Sequence, residues 1–318
     1  MAVQHALRRS ALSAFAILSF CVTASTATAQ KIALGNAPRL YIGMDDYGPA
    51  ARSFFQQNNV STDVRLIYEG SIDPQRKQQV NEDSLRAAIT RAFPDPQQGG
   101  IGVLDIESGP YTTMRKAAVG SADFASAAND YFIKAIRVAK ATRPNVYWGF
   151  YGLPYNNFAH NSAGSWDATC QKLAPVFREA DILFPSLYER NSSIFTGQDL
   201  SSDNADNVQE FMQHLLSFAA KINKPVMPFV WHRWHPSSAH DANKVIPQDE
   251  FSKYLTYLAK AGKGNPLFKG VVWWGADVYL YRFHKDQLGD DERQQTRFAD
   301  YHDTLLMQYG KSALKALQ

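Results

Sequence analysis

Cysteine is scarce in this sequence, with two residues, Cys21 and Cys170, among 318. If Cys21 leaves with an N-terminal segment, Cys170 has no partner within the chain, which excludes a disulfide-stabilised scaffold. A single thiol without catalytic neighbours is typical of a small buried apolar residue. We therefore expect Cys170 in the core.

The sequence also lacks an apolar run long enough for a transmembrane helix. The longest run, Ala11 to Val22, is shorter than the ~20 residues that a bilayer-spanning helix needs. Two arginines precede it and small residues follow it up to Ala29, a pattern typical of a cleaved secretory signal. We expect residues 1–29 to be a signal peptide, with a secreted or periplasmic mature chain from Gln30 and no integral membrane segment.

The sequence also has no large excess of either basic or acidic residues. The chain has 33 basic and 30 acidic residues, and the first 29 hold two arginines and no acid. The remaining chain is thus nearly neutral, with 31 basic and 30 acidic residues. Overall charge gives no indication of nucleic-acid binding.

Several catalytic motifs are absent. There is no Gly-x-Ser-x-Gly turn of a serine hydrolase, and Gly310-Lys311-Ser312 lacks the upstream glycine of a phosphate-binding loop. His232, His235 and His240 match no zinc spacing. We expect neither a metal nor another cofactor.

The sequence does contain seven short apolar runs that alternate with segments of helical spacing. The runs predict strands, and a parallel sheet covered by helices on its outer face. They are Leu40–Met44, Val64–Tyr68, Ile101–Ile106, Val146–Tyr151, Ile182–Tyr188, Val226–Trp231 and Gly270–Trp274; the helical segments are Glu82–Phe93, Ala122–Ala141, Asn207–Ile222 and Gln248–Ala261.

So many units favour an α/β fold, a distorted (β/α) TIM-like barrel of about seven or eight parallel strands, over a doubly wound sheet. We expect residues 30–318 to form this barrel as a single domain. Residues 191–207, rich in Ser, Asp and Asn, are predicted to be a loop over the site.

In such a barrel the functional residues follow the strands. The chain places polar and aromatic residues there: Asp45, Asp46, Glu69, Asp105, Glu107, Tyr151, Tyr155, Tyr188, Glu189, Trp231, His232, Trp274 and Asp277. We expect Tyr151, Tyr155, Trp231, His232, Trp274 and Asp277 to bind substrate, since aromatic rings stack on sugars. Trp148, Phe184 and Trp273 lie within runs and are expected in the core.

The segment Asp105-Ile106-Glu107 suggests the most specific hypothesis, a pair of catalytic carboxylates. Strand residues two apart share a face, so both carboxylates would enter one pocket. Close acids do not ionise together readily, and one can protonate a leaving oxygen while the other stays charged. The alternative interpretation is a pair of solvated strand-end acids or salt-bridge partners.

The pair lies too close together to flank a sugar, which points to attack by the substrate's own acetamido group. Glu107 would be the acid and Asp105 the orienting anion.

Five segments in order resemble the hyaluronidase family, as in a distant, bacterial-looking member. They are Leu104-Asp105-Ile106-Glu107, Trp148 to Asn156, Leu183 to Tyr188, Lys224 to Trp234, and Val272-Trp273-Trp274-Gly275. The resemblance implies a (β/α)-barrel glycosidase that hydrolyses an N-acetylhexosamine-containing polysaccharide with retention. It implies Glu107 as acid and base and Asp105 holding the acetamido group, with Tyr188 and Trp274 lining the same subsite.

The sequence also departs from that family. Ile106 replaces its usual aromatic residue, its disulfide cysteines are missing, and the region before Gly100 aligns loosely. Other acetamido glycans therefore stay open as substrates, including chitin-like, peptidoglycan-derived and capsular chains. Two alternatives without catalysis are a glycan-binding protein and a structural envelope protein on the same barrel.

Overall fold

The computed structural model describes residues 31, 33–35, 37–155, 163–190, 200–238 and 240–318. For residues 163–165 and 200–207 the description is limited to the backbone. The predicted signal peptide and residues 191–199 of the predicted loop lie outside the described residues. Residues 200–207 are helical, which corrects the loop prediction for that part.

The described strands form two parallel three-stranded sheets. One has the order β1-β6-β5 and the other β2-β3-β4. The strands are β1 (Arg39–Ile42), β2 (Val64–Tyr68), β3 (Gly100–Asp105), β4 (Val146–Phe150), β5 (Phe229–Val230) and β6 (Gly270–Trp273). Each lies in or within one residue of a predicted apolar run.

Isolated parallel bridges connect the two sheets at both edges. Tyr41 pairs with Ser61, just before β2, and joins the first sheet to the second. On the other side Tyr151 pairs with Phe184, and Leu183 pairs with Val226. The pairing closes on itself, as in a (β/α) barrel.

The fifth predicted run, Ile182–Tyr188, makes bridges but no regular strand. Pro185 lies in the middle of it and has no N–H to donate to a neighbouring strand. The next run is shortened to the two residues of β5 for the same reason, because Pro225 and Pro228 precede it.

Helices follow the strands and cover the outside of the barrel. They are α1 (Pro49–Gln57), α2 (Glu69–Ile72), α3 (Glu82–Ala92), α4 (Gly109–Lys116), α5 (Ala122–Ala125), a π-helix (Ser126–Ile133), α6 (Lys134–Thr142), α7 (Ala163–Lys172), α8 (Ala174–Glu179), α9 (Leu200–Ile222), α10 (Gln248–Gly262), α11 (Asp277–Phe283), a short 3₁₀-helix (Lys285–Gln287), α12 (Asp290–Arg293) and α13 (Phe298–Leu317). No described helix is long and apolar enough to cross a bilayer.

The four predicted helices match α3, the α5 to α6 stretch, α9 and α10, three of them within one or two residues at each end. The second is interrupted by the π-helix, which apolar spacing did not indicate. The remaining helices were not predicted.

The core has two parts. One set of buried residues, including Val103, Phe184 and Val272, fills the inside of the barrel. The larger set, including Trp148 and Trp273, packs between strands and helices. Phe184, Trp148, Trp273 and Cys170 are all fully buried, as predicted.

Candidate active site

The carboxyl ends of neighbouring strands bring the candidate residues together. Tyr68 at the end of β2 is paired in register with Asp105 at the end of β3. The backbone N–H of Tyr151 donates to Leu104 O at 3.1 Å, so β4 ends beside the same point. Parallel strands thus present Tyr68, Asp105 and Tyr151 at one rim of the barrel.

Asp105 is the last residue of β3, and Glu107 lies just beyond the strand. Alternation nevertheless continues: Asp105 is half-buried, Ile106 is buried and Glu107 is exposed to solvent. The two carboxylates therefore occupy the same side, separated by a side chain that points into the core. Among the described residues, Asp105 Oδ1 has no hydrogen-bond partner.

Both carboxyl groups of the pair lie in an environment that opposes their charged forms. Burial, with Glu107 and then Glu69 as nearby negative charges, raises the pKa of Asp105 to about 7. Burial and Glu69 also raise the pKa of Glu107. Both acids therefore keep a proton to higher pH than an exposed carboxyl does, and the two titrate as a coupled pair.

Aromatic rings cluster near these acids. Tyr188 stacks on Trp274 with ring centroids 5.8 Å apart and an interplanar angle of 13°. Trp231 packs edge-on against Trp274 at 5.0 Å, and Tyr151 lies 6.0 Å from Tyr188. The structure therefore brings together four of the predicted aromatic residues.

Two hydroxyl groups of this aromatic cluster interact electrostatically with the acids. Tyr188 hydrogen-bonds with Tyr151, and its pKa is raised well above the ordinary value by burial and by charges that include Asp105 and Glu107. Tyr151 also shares a hydrogen bond of 3.1 Å with Ser186 Oγ. The charges of Asp105 and Glu107 therefore act on the Tyr188 hydroxyl group.

Tyr155 takes a different place from the predicted one. Its side chain is buried, and its hydroxyl donates to the backbone oxygen of Tyr111 at 3.2 Å. The two rings meet edge-on at 4.8 Å. Tyr155 supports helix α4 behind the site and offers little surface to a ligand.

His232 and Asp277 are also inaccessible to solvent. Both are buried, and His232 Nε2 lies 2.9 Å from Asp277 Oδ1. Trp273 Nε1 donates to His232 Nδ1 at 3.0 Å, while Arg233 contacts Asp277 and donates twice to Glu292. The prediction that these two side chains bind substrate is corrected: they belong to a buried network beneath Trp231 and Trp274.

Two residues at the end of β2 also lie at the candidate site, and no role was predicted for them from the sequence. Tyr68 is 52% exposed and hydrogen-bonds with the Trp274 side chain. Glu69 accepts hydrogen bonds from the backbone of Glu107 and Ser108. The sequence feature that could have indicated both residues is their position at the carboxyl end of the apolar run before β3.

The three histidines considered for metal binding do not converge. His232 is held in the buried network, and His235 Nδ1 lies 2.7 Å from Ser237 Oγ. Within the described ranges there is no group of three His, Cys, Asp or Glu side chains that could hold a metal ion.

Fold and site together define a class: barrel proteins that present paired carboxylates and sugar-sized aromatic surfaces at the carboxyl ends of parallel strands. A family model described as hyaluronidase matches residues 103–278, more than half of the chain. The chain belongs to the hyaluronidase family. All five segments of the sequence resemblance lie within the matched region, and the resemblance is confirmed.

A wasp hyaluronidase from Polybia paulista is 28% identical over 147 residues, which cover 36% of this chain and 49% of the relative. The chain thus spans about half the length of that relative.

Two crystal structures of bee venom hyaluronidase are similar in fold. One has a TM-score of 0.62 at 16% identity, covering 87% of this chain and 99% of the other. The second, in complex with a hyaluronic acid tetramer, has a TM-score of 0.55 at 17% identity, covering 76% and 91%. These likenesses confirm the predicted (β/α) barrel.

Proposed function

We propose that this protein is a retaining glycoside hydrolase that cleaves an N-acetylhexosamine-containing polysaccharide of the hyaluronan type. The observation that carries the proposal is the pair Asp105 and Glu107 on one side of the chain at the end of β3, with raised pKa values, near Tyr188, which stacks on Trp274. Membership of the hyaluronidase family and the hyaluronic acid complex of a structurally similar protein support the substrate class.

The roles of the acids follow from their environments. Glu107 is the more exposed and reaches the solvent side, where a glycosidic oxygen would lie. It donates a proton as the bond to the leaving sugar breaks, and its carboxylate then takes a proton from the attacking water. Because both pKa values are raised, the pair holds a proton near neutral pH. That proton lies on Glu107 when Asp105 acts as the anion.

Asp105 is proposed to orient the acetamido group and to balance the positive charge that develops on it. Its Oδ1 atom is buried and has no partner within the described part of the chain, so it is available to an amide N–H. The acetamido oxygen attacks the anomeric carbon and forms a cyclic oxazolinium, which water opens. Tyr188, next to both acids, lines the same subsite.

Tyr68, Trp274 and Tyr151 are proposed to bind the sugar chain through ring faces and hydroxyl groups. Tyr68 is the most exposed of them. Trp231, which packs on Trp274, is proposed to hold that ring in place as well as to line the subsite.

We further infer that the barrel has seven strands in a single domain of residues 30–318. Support comes from the bridges that residues 182–186 make with both neighbours, since these add one strand position to the six regular strands. Export of the chain, after removal of residues 1–29, is part of the same proposal.

The test of the function is release of reducing ends from a panel of hyaluronan, chondroitin, chitin oligomers and peptidoglycan fragments. We expect turnover of hyaluronan-type chains by the parent protein. Glu107→Gln should abolish turnover and retain binding, because the amide is nearly isosteric but cannot donate the proton. Binding without turnover in the parent would instead favour a non-catalytic glycan-binding protein, and neither binding nor turnover would favour a structural role.

The mechanism has its own test. The two acids lie on one strand end, too near each other for either to attack across the sugar from the other. A thiazoline analogue of the oxazolinium should therefore inhibit competitively and bind more tightly than the parent sugar. A mass-spectrometric adduct of a 2-fluoro sugar on Asp105 or Glu107 would rule out the acetamido route.

A further inference from the structure

Glu69 lies at the junction between β2 and helix α2, beside the end of β3. Its carboxylate receives four hydrogen bonds. Oε2 accepts from the backbone N–H groups of Glu107 at 3.3 Å and Ser108 at 3.1 Å. Oε1 accepts from Ser108 Oγ at 2.5 Å and from the Tyr131 hydroxyl at 3.2 Å. Four donors around two oxygens match an ionised carboxylate, which has acceptors alone.

These contacts decide where Glu107 lies. The regular pairing of β3 ends at Asp105, so Glu107 is beyond the hydrogen bonds of the sheet. The side chain of Glu69 replaces the missing strand partner and fixes two consecutive amide groups. The position of Glu107 thus depends on a side chain from the neighbouring strand.

The fourth donor comes from an unusual element. Tyr131 is buried within the π-helix Ser126–Ile133 and reaches Glu69 from the helical layer. π-Helical turns are rare and occur frequently at functional sites. Here the π-helix provides the hydroxyl group that holds Glu69 against the loop of Glu107.

We propose that Glu69 is a positioning residue of the reaction, which fixes the backbone at Glu107 and Ser108 and keeps a negative charge beside the catalytic pair. The inference rests on the function proposed for that pair. Glu69 acts through Glu107 and Asp105 and need not touch the substrate.

The electrostatic part has support from the acids themselves. Glu69 contributes to the raised pKa of Asp105 after burial and Glu107, and to that of Glu107 after burial. The other titratable or charged groups near the pair or Glu69 are Tyr68, Asp73, Arg76, Tyr111, Tyr131, Tyr151 and Tyr188, and Arg115 and Arg190 act on Tyr111. Among these, the Asp73 carboxylate accepts hydrogen bonds from the backbone amides of Lys77 and Gln78.

The experiment is Glu69→Gln, followed by carboxyl-carbon NMR titration of Asp105 and Glu107 in the ligand-free protein and by the pH profile of kcat. The glutamine oxygen can still accept from the two amide groups, which keeps the loop folded, but its NH2 group cannot accept from Ser108 Oγ or the Tyr131 hydroxyl. The charge is therefore lost and the backbone at Glu107 is held less firmly. Without this like charge the two acids release protons more easily. We expect both titrations and the alkaline limb of kcat to move to lower pH.

We also expect kcat at its optimum to fall on the order of 100-fold, since a small displacement of a catalytic group has an effect of that size. Glu210→Gln, a matched change at an exposed residue of α9, should leave titrations and kcat as in the parent. Tyr131→Phe removes one donor and keeps the charge, so it should lower kcat less and leave the alkaline limb in place.

Unchanged titrations and an unchanged kcat in a folded Glu69→Gln protein would overturn the inference. If that variant does not fold, Tyr131→Phe with a parental kcat overturns the positioning role. If the parent cleaves none of the glycans, the proposed function fails, whereas the titration still tests the charge of Glu69 on its two neighbours.

Discussion

Asp105 has an environment that opposes its charged form. It is half-buried at the end of β3, has Glu107 and Glu69 as neighbours, and has a pKa raised to about 7. The surrounding fold holds this acid in place although its ionisation destabilises that fold.

This gives a prediction for Asp105→Asn. The pKa of Asp105 in the folded protein is about 7, against an ordinary value of 3.8. Between these values the folded state binds the proton more tightly than the unfolded state, so the free energy of unfolding must fall as pH rises through this window. The asparagine variant lacks this contribution and should lose less stability between about pH 4 and pH 7.

Urea unfolding of parent and variant at several pH values measures the difference. The same variant should lose about 100-fold or more in kcat, because the developing positive charge loses its partner. An identical pH dependence of stability in the two proteins would contradict the environment described for Asp105.

At the scale of elements, the barrel closes where its strands are least regular. Pro185 interrupts the fifth predicted strand, and residues 182–186 pair through single bridges. Gly149 in β4 allows this segment to approach closely, since a Cβ there would lie 2.3 Å from the backbone oxygen of Ile182 and 2.6 Å from the Phe184 ring.

Gly149→Ala should therefore destabilise the protein by about 1–3 kcal/mol, the usual range for an overpacked core. The obstacle is a backbone atom, which cannot move aside as a flexible side chain does. Gly70→Ala is the control, because a Cβ at Gly70 meets nothing within 4 Å. Chemical denaturation measures both; equal stability of the two variants would show that β4 and residues 182–186 are not in tight contact.

For the whole molecule, the buried network joins parts of the chain that are distant in sequence. Arg233 connects Asp277 at the start of α11 with Glu292 in α12, and its side chain is inaccessible to solvent. Arg233 and His232 favour the charged form of Asp277, whose pKa lies well below the ordinary value despite full burial. The network fixes the segments that carry Trp231 and Trp274.

Arg233→Met should destabilise the fold by about 3–5 kcal/mol, because it leaves two buried carboxylates without their cation. Arg137→Met removes the solvent-exposed pair with Glu179, where Arg137 is 66% exposed, and should change stability far less. Thermal and urea unfolding of both variants check this. A loss at Arg233 no larger than that at Arg137 would be incompatible with a buried ion network.

The sequence by itself determined the positions of the strands and of four helical stretches, because a buried parallel strand is a continuous apolar run and an outer helix has apolar spacing. It also determined the pairing of Asp105 with Glu107, since alternation along a strand is a local property. The five segments that resemble the family follow from the same residues.

The tertiary structure alone decided which residues after the strands lie near the carboxylate pair. Strand periodicity ends where these residues begin, so sequence position did not separate Tyr188 and Trp274, which stack on each other near the acids, from His232 and Asp277, which belong to a buried ion network. The contact between Glu69 and Tyr131 could not be predicted from the sequence either. Their hydrogen bonds link residues 38 to 62 positions apart, and contacts over such separations depend on how the barrel and the π-helix pack.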